Sequence, residues 1–100
     1  MEETFTFSAD VWLWEAKDSW HFVTLPFDVA DDVEARYDGP ARGFGAVKVF
    51  AQIGDTTWKT SMFPSKESKS YVMPLKKAVR EAEGVVEGAT VEIEIELIDP

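Results

Sequence analysis

The chain contains no cysteine, which rules out both a disulfide framework and a thiolate metal site. Its single histidine, His21, rules out the multi-imidazole arrangements that usually hold zinc. Long apolar runs are missing as well, and a bilayer-spanning helix needs roughly 20 consecutive apolar residues. The first residues, Met1-Glu2-Glu3, are acidic, unlike the basic-then-apolar start of a signal peptide. Positive charge is scarce: ten Lys and Arg stand against nineteen Asp and Glu, for a net charge of −9. Most of such a surface repels a phosphate backbone or an anionic membrane. These absences predict a cytoplasmic protein with no cofactor, for which neither nucleic acid nor a membrane is the expected partner.

What is present is enough to fold. A chain of 100 residues makes one domain, expected to span 1–100, and buries enough surface to need no staples. Seven Phe, four Trp and two Tyr supply a core and argue against disorder despite the charge.

Along the chain, Thr4 to Trp14 alternates: Phe5, Phe7, Ala9, Val11 and Leu13 share one face. Trp12 and Trp14 fall on the other, polar side, so the strand end is either covered on both faces or shifted by a bulge. Glu15–Ser19 reads as a turn, and Trp20 to Leu25 as the returning strand, stopped by Pro26. Asp28 is expected to cap a short helix striped by Val29, Val33 and Tyr37 and ended by Gly39-Pro40. Gly45 to Ile53 and Thr56 to Phe63 form a hairpin around Gly54-Asp55, closed by Pro64. Ser65 to Ser70 reads as a mobile, lysine-rich loop, and Tyr71 to Met73 as a brief strand before Pro74. Leu75, Ala78, Val79 and Ala82 predict an amphipathic helix ended by Gly84. Thr90 to Leu97 is a half-buried strand with Glu92, Glu94 and Glu96 outward. The fold class is therefore mainly β with two short helices, mostly antiparallel. A small closed or nearly closed barrel with the two short helices plugging its open ends suits it, because closure removes exposed strand edges.

Four segments in this order resemble the bacterial domain-of-unknown-function family numbered nineteen-oh-five. They are W-H-F-V-T-L-P at 20–26, T-W-K-T-S-M-F-P at 57–64, Y-V-M-P-L-K-K-A-V-R-E-A-E-G at 71–84 and V-E-G-A-T-V-E-I-E-I-E-L at 86–97. The resemblance covers nearly the whole chain and implies a double-split β-barrel, an architecture shared with AbrB-like transcription regulators. It implies no activity.

One feature suggests a binding place. Lys66, Lys69, Lys76, Lys77 and Arg80 are five of the ten basic residues, opposed within 66–80 by Glu67 alone. In the opening turns of a helix, Lys76, Lys77 and Arg80 oppose the macrodipole at about 0.3–1 kcal/mol each. Lys76 and Arg80 also share a face and repel. Together they suit a phosphate or carboxylate, with Lys59 and Ser61 as further contacts. The competing explanation pairs them with glutamates of the last strand, or with Glu81 and Glu83.

Other candidates are weaker. Trp12, Trp14 and Phe63 could stack on a planar ligand, but filling the core is the better expectation. His21 is expected to be structural, since no nucleophile-elbow or triad spacing accompanies it. Capping accounts for Asp28, Asp31 and Asp32, whose spacing is not that of a calcium loop. Gly39, Gly43 and Gly45 lack the following helix of a phosphate-cradling loop. The expected function is thus a non-enzymatic module binding an anionic small molecule or an acidic protein. A nucleic-acid-binding regulator is the alternative by barrel analogy, and a small enzyme ranks third. Monomer and hairpin-swapped dimer are both compatible with such a barrel.

Overall fold

The computed structural model describes residues 4–14, 20–36 and 45–98. The elements run β1 (Thr4–Asp10), β2 (Trp12–Leu13), β3 (His21–Thr24), α1 (Phe27–Arg36), β4 (Val47–Ile53), β5 (Thr56–Ser65), β6 (Ser70–Leu75), α2 (Lys77–Glu83) and β7 (Thr90–Leu97). The strands form one seven-stranded sheet in the order β1-β7-β4-β5-β6-β3-β2. Every pairing is antiparallel. Its two outermost strands, β1 and β2, are consecutive in the chain with Val11 between them, and β1 lies against β3. The sheet therefore curls into a barrel-like shell, as the alternation anticipates. Among the described residues no helix is long and apolar enough to cross a membrane.

The alternating segments bury the faces expected of them. β4 buries Val47, Val49, Ala51 and Ile53, and β7 buries Val91, Ile93 and Ile95 beneath exposed glutamates. Trp58, Met62, Met73 and Leu75 complete the interior from β5 and β6. Ala30 and Val33 of α1 and Val79 of α2 belong to the same buried cluster.

Several local expectations are corrected, each for a physical reason. Thr4 to Trp14 is not one strand. It changes partner at Val11, whose N–H donates to Ala89 O at 2.9 Å and whose carbonyl accepts from Gly88 N at 2.8 Å. Asp28 lies inside α1 rather than capping it: Pro26 O accepts the first helical bond from Ala30 N at 2.9 Å. Pro64 and Pro74 sit within β5 and β6 instead of ending them. Each lies where its strand has a partner on one side only, Tyr71 for Pro64 and Phe22 for Pro74, so the missing N–H leaves no ladder bond unmade. In α2 only Val79 is buried; Ala78 and Ala82 are exposed, and Leu75 belongs to β6. The turn at 15–19, Tyr37 and the Gly39-Pro40 terminator lie outside the described residues.

The segment Ser65 to Ser70 is a tight turn, not a loose loop. Ser65 pairs with Ser70, and Lys69 takes a left-handed φ of 56°. Ser70 is buried and its hydroxyl donates to Leu25 O at 2.8 Å, while Leu25 N donates to Tyr71 O at 2.9 Å. This clamp fixes the end of β3 against β6. Ser70→Ala removes the donor from a buried carbonyl and should lower unfolding stability by about 1–2 kcal/mol in urea titration. A change indistinguishable from zero would show that the clamp contributes nothing.

Candidate functional site

The geometry that matters begins with a change of strand partners. Thr56 to Met62 of β5 pair with β4, whereas Phe63 to Ser65 pair with β6. β6 in turn leaves β5 after Val72 and continues beside β3 as far as Leu75. The two strands therefore part, and a notch opens between the Thr60 side of β5 and the Leu75 side of β6.

A cleft of about 550 Å³ occupies that notch. Thr60 and Phe63 line it from β5, Pro74 and Leu75 from β6, and Trp20 and His21 from the start of β3. α2 lies across its mouth and adds Lys76, Lys77 and Arg80. The arrangement follows from the chain itself, because β6 runs through Leu75 directly into the basic residues and delivers them to the notch.

Arg80 donates from Nε to Leu75 O at 3.1 Å, so its stem is held along the cleft wall and one strand carbonyl is satisfied. Lys77 approaches Glu81 at 3.9 Å with both side chains largely in solvent. A pair that open and that long contributes little. Lys76 makes no ion pair among the described residues. Glu83 is turned elsewhere and accepts a hydrogen bond from Thr56 Oγ1 at 2.5 Å. The helix is only seven residues long and Lys76 at its N-cap makes no side-chain capping bond. Side-chain charge, not the helix end, supplies the positive field.

The basic cluster read from the sequence is thus divided. Lys76, Lys77 and Arg80 meet at the cleft. Lys66 and Lys69 lie in the β5–β6 turn, where they wall a separate hollow of about 220 Å³ with Asp31 and Glu34 of α1. Lys59 and Ser61 flank Thr60 on β5 but face the other way, opposite Phe50 and Lys48 of β4, and do not line the cleft.

Next to the cleft lies a second trough of about 320 Å³, walled by Trp12, Trp14, Trp20, Phe22, Phe63, Val72 and Pro74. Trp20, Phe63 and Pro74 belong to both, so the two are continuous. Here the core expectation is overturned: Trp12, Trp14 and Phe63 are 36%, 40% and 44% exposed, and Trp20 is 49% exposed. The rings support one another outside the barrel. Trp12 stacks on Phe22 with centroids 5.1 Å apart, and Trp14 leans on Trp20 at 5.5 Å. Trp12 Nε1 donates to Thr24 Oγ1 at 2.9 Å, which fixes its orientation. The period-2 rule had placed Trp12 and Trp14 outward, and that signal outranks aromatic composition.

A family model described as Domain of unknown function (DUF1905) matches residues 7–95. No curated protein matches the chain.

Proposed function

Since the chain belongs to the DUF1905 family, whose description assigns no activity, we propose from the site itself that it is a binding module for an anionic group. The cleft between β5 and β6 receives that group, and Lys76, Lys77 and Arg80 hold it. One observation carries this: three cations of a chain with net charge −9 converge on the mouth of one cleft. Concentrating scarce positive charge beside apolar walls raises local anion concentration and strengthens each charge-assisted contact. Half-buried His21 and Thr60, facing inward on their strands, supply polar groups on the walls.

Nucleic acid is the poorer candidate. The outer face of β7 presents Glu92, Glu94 and Glu96, and a long phosphate backbone laid over the molecule meets that repulsion. A compact anionic group need touch only the cleft.

The test is calorimetric titration of the full chain with inorganic phosphate, acetate and benzoate at low salt. Binding with Kd below about 1 mM, roughly 4 kcal/mol, is expected for at least one of them. The Lys76→Gln/Lys77→Gln variant keeps the Arg80 contact to Leu75 and should weaken binding about tenfold or more, as should a rise in ionic strength. Absence of binding across the panel, or binding indifferent to those two lysines, removes the proposal.

A further inference from the structure

The two halves of the sheet present opposite outer faces. On the β1–β7–β4 side the cross-strand rows are mostly polar, as in Thr6–Glu94–Gln52, with exposed Phe50 standing alone beside Glu96. On the β5–β6–β3–β2 side they are apolar: Phe63–Val72 leads to Thr24, and Pro74–Phe22 leads to Trp12. An antiparallel sheet ordinarily keeps one face wet, with polar side chains there. A contiguous exposed apolar face rimmed by charge marks an interaction site in a folded protein.

We infer that this face docks a protein segment that is apolar and aromatic over most of its length and acidic at one end. The inference rests on the anion-binding reading above and names its ligand class. Continuity supplies the first reason, because the trough runs into the cationic cleft through Trp20, Phe63 and Pro74. An occupant of the trough therefore has its end beside Lys76, Lys77 and Arg80.

Shape supplies the second reason. Small-molecule sites are concave and bury most of their ligand. The trough walls stay open, with Trp12, Trp14, Phe63 and Trp20 36%, 40%, 44% and 49% exposed. Such a surface gains burial only under a broad partner, and clustered Trp is the composition of interface hot spots. Charge supplies the third. Lys76, Lys77 and Arg80 stand at one end of the face only, and an acidic end of the segment neutralises them there.

The experiment is selection of a displayed library of random short peptides on the full chain, followed by affinity measurement of the enriched peptides. Enriched sequences should combine large apolar residues with Asp or Glu gathered at one end. Phe63→Ser and Trp14→Ser should each weaken them about tenfold or more, and Trp14→Ser, which lies outside the cleft, should retain the thermal midpoint and benzoate binding. Lys77→Glu should select peptides without the acidic end.

Failure to enrich such peptides, while small anions still bind through Lys76 and Lys77, overturns the docking inference and leaves the anion site standing. Peptides that bind equally well to the Lys76→Gln/Lys77→Gln variant overturn the acidic half of the inference, and the anion site falls with it only if the small anions are equally indifferent to those lysines. A dimer in sedimentation that Trp14→Ser dissolves assigns the face to a second copy and overturns it. So does binding to phosphatidylglycerol vesicles that Trp14→Ser abolishes.

Discussion

Replacing Ile93 by alanine should cost the fold about 4 kcal/mol, within the roughly 2–5 kcal/mol spanned by buried Ile→Ala changes. Ile93 is 0% exposed and lies on β7, which is paired with β1 on one side and β4 on the other. Its side chain faces the interior opposite Phe7, one residue before the ladder with β4 begins at Glu94. Little relaxation is available to fill the void, so both the transfer loss and the cavity are felt. For a domain near 100 residues this lowers the thermal midpoint by roughly 15–30 °C. Glu94, the next residue and exposed, should tolerate alanine within about 0.5 kcal/mol. Urea titrations of the two variants test the pleat directly. Similar costs for both would mean that β7 does not have its faces assigned this way.

Gly54→Ala should cost roughly 3 kcal/mol, although Gly54 is exposed in a surface hairpin. Two effects add. Gly54 has φ of 57°, a left-handed conformation that costs an L-residue about 1–2 kcal/mol. A Cβ there would also fall 2.2 Å from Glu83 Oε1, so the Glu83 side chain must leave. Its departure breaks the bond from Thr56 Oγ1, and hydrogen bonds to charged groups contribute about 1.5–3 kcal/mol. That contact also anchors the end of α2 to the start of β5, so the loss bears on the helix that carries the cleft cations. A double-mutant cycle separates the effects. In a Glu83→Ala background Gly54→Ala should cost only the backbone part, about 1–2 kcal/mol. Equal costs in both backgrounds would dissociate Glu83 from the hairpin.

How much of this was legible from residues alone differs by level. Glu92, Glu94 and Glu96 alternating with Ile93 and Ile95 declared their faces, because in an extended chain the side-chain period is geometric. Gly54-Asp55 and Gly84 announced a hairpin and a helix end through backbone conformations that other residues avoid. Local sterics decides these, and local sterics is written in neighbours. The same reasoning failed at Pro64 and Pro74. Whether a proline ends a strand depends on whether another strand wants its missing N–H, which neighbours cannot reveal.

The candidate site shows the same division. That Lys76, Lys77 and Arg80 are clustered was plain from their spacing. That they meet Thr60, Trp20 and His21 was not, since those residues lie remote along the chain and come together only where β5 and β6 part. Nor could the chain order separate Lys66 and Lys69 from that group, as the turn carries them instead to Asp31 and Glu34.

The sequence by itself determined the antiparallel β character, the inward faces of β4 and β7 and the acidic balance, each a property of composition or of short-range periodicity. Tertiary structure alone decided that Trp12, Trp14, Trp20 and Phe63 stand together outside the barrel beside three cations. The physical reason is partner exchange along strands: an outward row becomes a surface only when pairing sets rows from distant segments side by side.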